Sequence, residues 1–131
     1  MKMTKRVVAL VLCLTLVFSL SIVAYAASSK TFFSATRYGY TVTGRGTTDT
    51  SKATATMIAT PGNSPSIPEN DCSSTVTLKA YSSNDTVVGS ATKTGTIEVR
   101  AECRYSAGAA TYTISSFRFN GYNYGPYNLN V

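Results

Sequence analysis

The chain contains no histidine among its 131 residues. The usual general base is therefore missing, and with it the Ser-His-Asp and Cys-His arrangements and most catalytic zinc sites. Six carboxylates remain for acid–base work. Glu98 and Glu102 share one face of a predicted strand. Their spacing puts them about 13 Å apart, whereas a glycosidase pair needs about 5–9.5 Å. Arg100 between them suggests an ion-pair ladder instead. Glu69 and Asp71 fall in one loop, but two carboxylates do not define a calcium site. Ser51-Lys52 has the residue types of a serine–lysine dyad, yet neighbours on a strand point to opposite faces. Gly44-Arg45-Gly46 lacks the third glycine and the helix of a phosphate loop and reads as a turn. These residues predict a protein that is not an enzyme and that holds no cofactor and no metal.

Cysteine offers a different chemistry. Cys13 lies in an apolar leader behind Leu12, where a lipoprotein signal needs a small residue. Cys72 and Cys103 lie beyond the leader, and an even pair in an exported chain predicts a disulfide. The bridge would close a loop of 32 residues and contribute about 3.7 kcal/mol by chain entropy. Two thiolates without histidine make a poor zinc site.

Aromatic residues are the third resource. The segment SSFRFNGYNYGPYN, residues 115–128, carries five rings. Asn120-Gly121 is a strong signal for a two-residue hairpin. That turn sets Phe119 opposite Tyr122 and Phe117 opposite Tyr124 and puts all four rings on one side of the ribbon. Tyr112 and Ile114 lead into this strand at even positions and are read as inward-facing. A regular strand would then turn Phe117, Phe119, Tyr122 and Tyr124 outward as a ligand surface, and a β-bulge at Ser115-Ser116 would bury them. The proline-rich loop 61–72, PGNSPSIPENDC, cannot sit inside a sheet. It reads as a crossover between sheets or as an exposed recognition loop.

The elements that position these residues are strands. A leader precedes them: Lys2, Lys5 and Arg6, an uncharged apolar stretch from Val7 to Ala24, then Ala24-Tyr25-Ala26. This pattern predicts a secretory signal over residues 1–26, cleaved after Ala26, with a retained membrane anchor as the alternative. The remaining residues 27–131 carry nine Lys or Arg against six Asp or Glu, a net charge of +3 with no basic run. That excludes a nucleic-acid footprint and leaves a weak, salt-dependent attraction to an anionic cell wall or membrane surface, with membrane anchoring only through an uncleaved leader. Asn84-Asp85-Thr86 matches a glycosylation acceptor, but the lysine-rich leader looks bacterial and the match carries no weight.

Period-two alternation rich in Thr, Val, Tyr and Ile runs through residues 27–131. One strand spans Phe32 to Val42, followed by a turn at GRGTTD. A second puts Ala53, Ala55, Met57 and Ala59 on one face, and a third does the same with Val76, Leu78 and Ala80. A short strand begins at Val87-Val88. TIEVRAECRY sets Ile97, Val99, Ala101, Cys103 and Tyr105 against a charged face. About seven short strands predict an all-β, single antiparallel β-sandwich or small barrel.

The signal, the β layout, the SKATATM strand and the tyrosine-rich C-terminal part resemble lactococcin 972-type bacteriocins, small secreted bacterial β-sandwiches. The resemblance is one of layout. This chain lacks the histidines and tryptophans of that group and adds a cysteine pair, so no residue role is carried over. The sequence thus predicts a secreted, non-catalytic binding protein that recognises a carbohydrate or cell-surface component. The alternatives are a bacteriocin-like effector acting on bacterial envelopes and an inhibitor using loop 61–72.

Overall fold

The computed structural model describes residues 28–131, so the expected signal sequence lies outside the described residues. Eight strands follow one another: β1 (Ser28–Arg37), β2 (Tyr40–Thr48), β3 (Lys52–Pro61), β4 (Ser74–Tyr81), β5 (Val87–Gly95), β6 (Glu98–Arg104), β7 (Tyr112–Phe119) and β8 (Tyr122–Asn130). They form two four-stranded antiparallel sheets, ordered β1-β2-β3-β6 and β5-β4-β7-β8. The sheets stack as a β-sandwich around one apolar core. No helix of the described residues is long and apolar enough to cross a membrane.

The alternation dictates the core. β3 buries Ala53, Ala55, Met57 and Ala59, β6 buries Val99, Ala101 and Cys103, and β4 buries Val76, Leu78 and Ala80. The alanines of the first sheet are small, which leaves room between the layers for large rings. Tyr40, Phe117 and Phe119 fill that room, each at most 2% exposed. Burial of rings this size contributes about 1.5–3 kcal/mol each.

Eight strands form where seven are expected, because residues 28–48 hold two strands. The chain reverses at Tyr38-Gly39, where φ is 54° and 78°. Both values lie in the left-handed region that a two-residue hairpin turn demands. Gly44-Arg45-Gly46 is not a turn; it runs through β2. Its glycines face inward and make space: a Cβ on Gly44 would stand 2.2 Å from the Phe33 ring, and one on Gly46 2.7 Å from the Phe32 ring. A register shift between Thr31 and Phe33 in β1 lets two consecutive phenylalanines lean the same way.

The phase of β7 also differs from expectation. The strand pairs regularly with β4 from Tyr112 to Phe119, so Ser115-Ser116 does not bulge. The irregularity lies in the partner strand, where Gly125 and Pro126 together oppose the single residue Ser116. The inward positions are the odd ones, Thr113, Ser115, Phe117 and Phe119, and Tyr112 and Ile114 sit on the outer face. Tyr112 is satisfied there. Its ring stacks on Tyr81 of β4 at 5.1 Å, and its hydroxyl donates to Asp85 Oδ1 at 2.6 Å. Inside, the Thr113 hydroxyl donates to the Leu129 carbonyl at 3.3 Å. A strand with polar groups in and apolar groups out over half its length misleads any periodicity argument.

The expected disulfide is overturned. Cys72 and Cys103 are both buried and both free. Cys103 Sγ packs beside Gly89, which pairs with Ala80 at one end of β4. Cys72 lies just before Ser74, the other end of that strand. Six residues at the strand rise make about 20 Å, and a bridge needs Cα atoms about 4.4–6.8 Å apart.

Candidate functional site

The Asn120-Gly121 hairpin forms as the dipeptide predicts, with φ of 48° and 85°, and pairs Phe119 with Tyr122 and Phe117 with Tyr124. All four rings share the inner side of the ribbon. They do not make an open row. Phe117, Phe119 and Tyr124 are core, whereas Tyr122 is 41% exposed.

The rings belong to an aromatic seam that closes the sandwich between its two edge strands, β1 and β8. Phe32 stacks on Tyr127 at 5.2 Å, and Phe33 stacks on Tyr124 at 4.3 Å with the planes 5° apart. Tyr122 meets Tyr124 edge-on at 4.9 Å. At the end of the seam the Arg37 guanidinium carbon sits 3.6 Å from the centre of the Tyr122 ring. Such cation–π contacts contribute about 0.5–1 kcal/mol at partly exposed sites.

Tyr38 adjoins this end. It occupies the first position of the β1–β2 turn at φ 54°, which costs a side chain with a Cβ about 1–2 kcal/mol. Its ring is 37% exposed, tilted against Phe119 at 6.3 Å, and its hydroxyl reaches the Asn120 carbonyl at 3.4 Å. Two hairpin turns thus stand side by side, Tyr38-Gly39 from one sheet and Asn120-Gly121 from the other.

The loop after Pro61 crosses from the first sheet to the second over this same end. Gly62 N–H donates to the Gly39 carbonyl at 2.8 Å and Ser66 N–H to the Tyr38 carbonyl at 2.9 Å. The Tyr40 hydroxyl donates to the Ile67 carbonyl. Asn120 fixes the far end, with its Oδ1 accepting from Ser73 N–H at 2.8 Å and its Nδ2 donating to Cys72 Sγ at 3.7 Å. The Cys72 thiol beside it, together with burial, pushes Tyr40 up to about 12. These contacts pin the loop to the core without a bridge.

The other candidates disperse. Glu102 forms ion pairs with Arg104 at 3.1 Å and with Arg100 at 3.7 Å on an exposed face, a ladder in which, among the described residues, Glu98 takes no part. Asp49 Oδ1 accepts from the backbone N–H groups of Ser51 and Lys52, both at 2.8 Å, so that segment is a turn. Glu69 and Asp71 belong to one turn of 3₁₀ helix, and among the described residues no three metal-ligating side chains gather.

Sequence reasoning placed Tyr122 and missed Arg37 and Tyr38. The available signal was Tyr38-Gly39, a glycine at the second position of a two-residue turn. A continuous strand from Phe32 to Val42 concealed it. What assembles at this end is the Arg37 guanidinium over the Tyr122 ring, with the part-exposed Tyr38 next to it in sequence. No protein family model and no curated protein matches the chain.

Proposed function

We propose that this chain is a secreted, non-catalytic β-sandwich that recognises a glycan or another cell-surface component through the end bearing Arg37, Tyr38 and Tyr122. The observation that carries the proposal is Tyr38. A tyrosine held at φ 54° occupies a place where glycine or asparagine would be relaxed. It gains a tilted ring contact with Phe119 and a long hydrogen bond to the Asn120 carbonyl, and its ring stays part-exposed. Strain retained beside open aromatic surface points to a ligand rather than to folding. Tyrosine faces suit the apolar side of a sugar ring, and the phenol can bond its hydroxyls.

A glycan array probed with the chain and with Tyr38→Ala plus Tyr122→Ala tests this. Binding to one glycan class, lost in the double variant, is the expected result. A blank array, or binding that survives the double substitution, would sink the proposal. N-terminal sequencing of the exported protein tests the secretory part, with Ala27 as the expected first residue.

Loop 61–72 supports a second reading, a secreted inhibitor. Its backbone is tethered at Gly62 and Ser66 and its Cys72 thiol at Asn120, while most of its side chains are exposed, as an inhibitory loop requires. Loop-substituted variants in a protease panel separate this reading from the first. The bacteriocin-like alternative predicts clearing zones when the protein is spotted on lawns of related bacteria.

A further inference from the structure

We infer that Arg37 reads an oxyanion, so that the ligand is an acidic glycopolymer. The inference rests on the binding reading above and adds the ligand's chemical class. The Arg37 guanidinium lies over the Tyr122 ring, 3.6 Å from its centre. Its Nε is buried with no hydrogen-bond partner, and among the described residues no carboxylate pairs with it, whereas Arg100 and Arg104 both pair with Glu102. The ring covers one side of the guanidinium. With Nε buried, the terminal Nη edge is the part left to bind, and the fork of its two N–H groups matches a carboxylate or phosphate held edge-on by two parallel hydrogen bonds. Because the Tyr122 ring already holds the side chain, less conformational freedom is lost on binding.

The neighbouring groups suit a sugar attached to that anion. Tyr38 follows Arg37 directly and offers a ring 37% exposed, and Tyr122 offers the rim of a second at 41%. A net charge of +3 over residues 27–131 favours the approach of a polyanion. Hexuronate carboxylates and the phosphates of polyol-phosphate polymers share the required chemistry, an oxyanion beside a polyhydroxylated chain.

The test is calorimetric titration of the purified chain with three probes: an oligogalacturonate, a glycerol-phosphate oligomer and a neutral oligosaccharide of equal length. Arg37→Lys keeps the charge and removes the fork. Lys93→Gln removes an exposed charge elsewhere. Binding of one acidic probe, weakened about tenfold by Arg37→Lys and by less than about twofold by Lys93→Gln, is the expected result, and the probe that binds identifies the source of the anion. A shift of the Arg37 Nε–H resonance in ¹⁵N-correlated spectra on adding that probe is the second expected readout, and it needs no variant. Equal losses from Arg37→Lys and Lys93→Gln would overturn the inference, because net charge alone would then account for binding. A neutral probe bound as tightly as the acidic ones would overturn it while leaving the glycan reading standing. Silence from all three probes, together with a blank glycan array, would overturn both.

Discussion

Phe33 of β1 occupies the space that a side chain on Gly44 of β2 would need: a Cβ there would stand 2.2 Å from the ring. The Phe33 ring in turn stacks on Tyr124 at 4.3 Å, so it cannot retreat without opening the seam between the sheets. Gly44→Ala is therefore expected to destabilise the sandwich by about 2–3 kcal/mol through overpacking. Adding Phe33→Leu to that variant makes room and should recover part of the loss, a positive coupling between the two sites. Urea midpoints of the single and double variants check this. A Gly44→Ala midpoint equal to the parent's would overturn the packing account.

Cys72 and Cys103 lie at opposite ends of β4 and remain thiols. Alkylation of denatured protein without reductant should label both in mass spectrometry. Dithiothreitol should leave Tm unchanged to about 1 °C, whereas opening a real bridge around this loop would lower it by more than about 10 °C.

The elements that were legible in the sequence are those with a consistent period of two. β3 and β6 keep an apolar face along their length and β4 does so from Val76 to Ala80, and Asn120-Gly121 names its own turn. The errors share one physical origin, departures from local rules that only contacts distant in sequence make tolerable. Gly44 and Gly46 look like turn residues until two rings from β1 need the space above them. Tyr112 looks inward until Tyr81 and Asp85 give it partners outside. The left-handed tyrosine at position 38 follows no propensity at all. At the candidate site the sequence showed the ring of Tyr122, but the stacking of Arg37 depends on how β1 meets β8.

Three tyrosines tie stability to alkaline pH. Burial pushes Tyr105 up to about 12, Tyr40 reaches about 12 beside Cys72, and Tyr112 reaches about 12 because its hydroxyl donates to Asp85. The unfolded chain releases these protons near 10, so between pH 10 and 12 the folded state binds more of them. Stability is then fully present below pH 10 and falls as pH rises toward 12. Asp85→Asn should lower the Tyr112 value and move its part of the 295 nm titration to lower pH. Asp49 acts at the other end of the scale. The backbone N–H of Ser51 holds its carboxyl below 3.8, so its contribution is present above that value and disappears on further acidification. Asp49→Asn should flatten the acid limb of the stability curve, and thermal melts at stepped pH values measure both limbs.

Tyr38 and Gly39 share one turn, and their substitutions should move stability in opposite directions. Asparagine tolerates the left-handed conformation that Tyr38 adopts at φ 54°, so Tyr38→Asn relieves about 1–2 kcal/mol of strain. It gives up a tilted ring contact at 6.3 Å and a long hydrogen bond at 3.4 Å, together about 0.5–1 kcal/mol. The net expectation is a gain of about 0.5–1 kcal/mol, or a Tm higher by several degrees. Gly39→Ala places a Cβ at φ 78°, 2.6 Å from Pro65 Cα, and should cost more than about 2 kcal/mol because both the turn and the crossing loop must shift. If the ring of Tyr38 serves a ligand, the stabilised Tyr38→Asn protein should also lose glycan affinity by about tenfold, the loss of a stacking face. Stability and binding moving in opposite directions at one residue is the signature of strain kept for function. A Tyr38→Asn protein that is both less stable and equally tight in binding would show that the ring serves the fold alone.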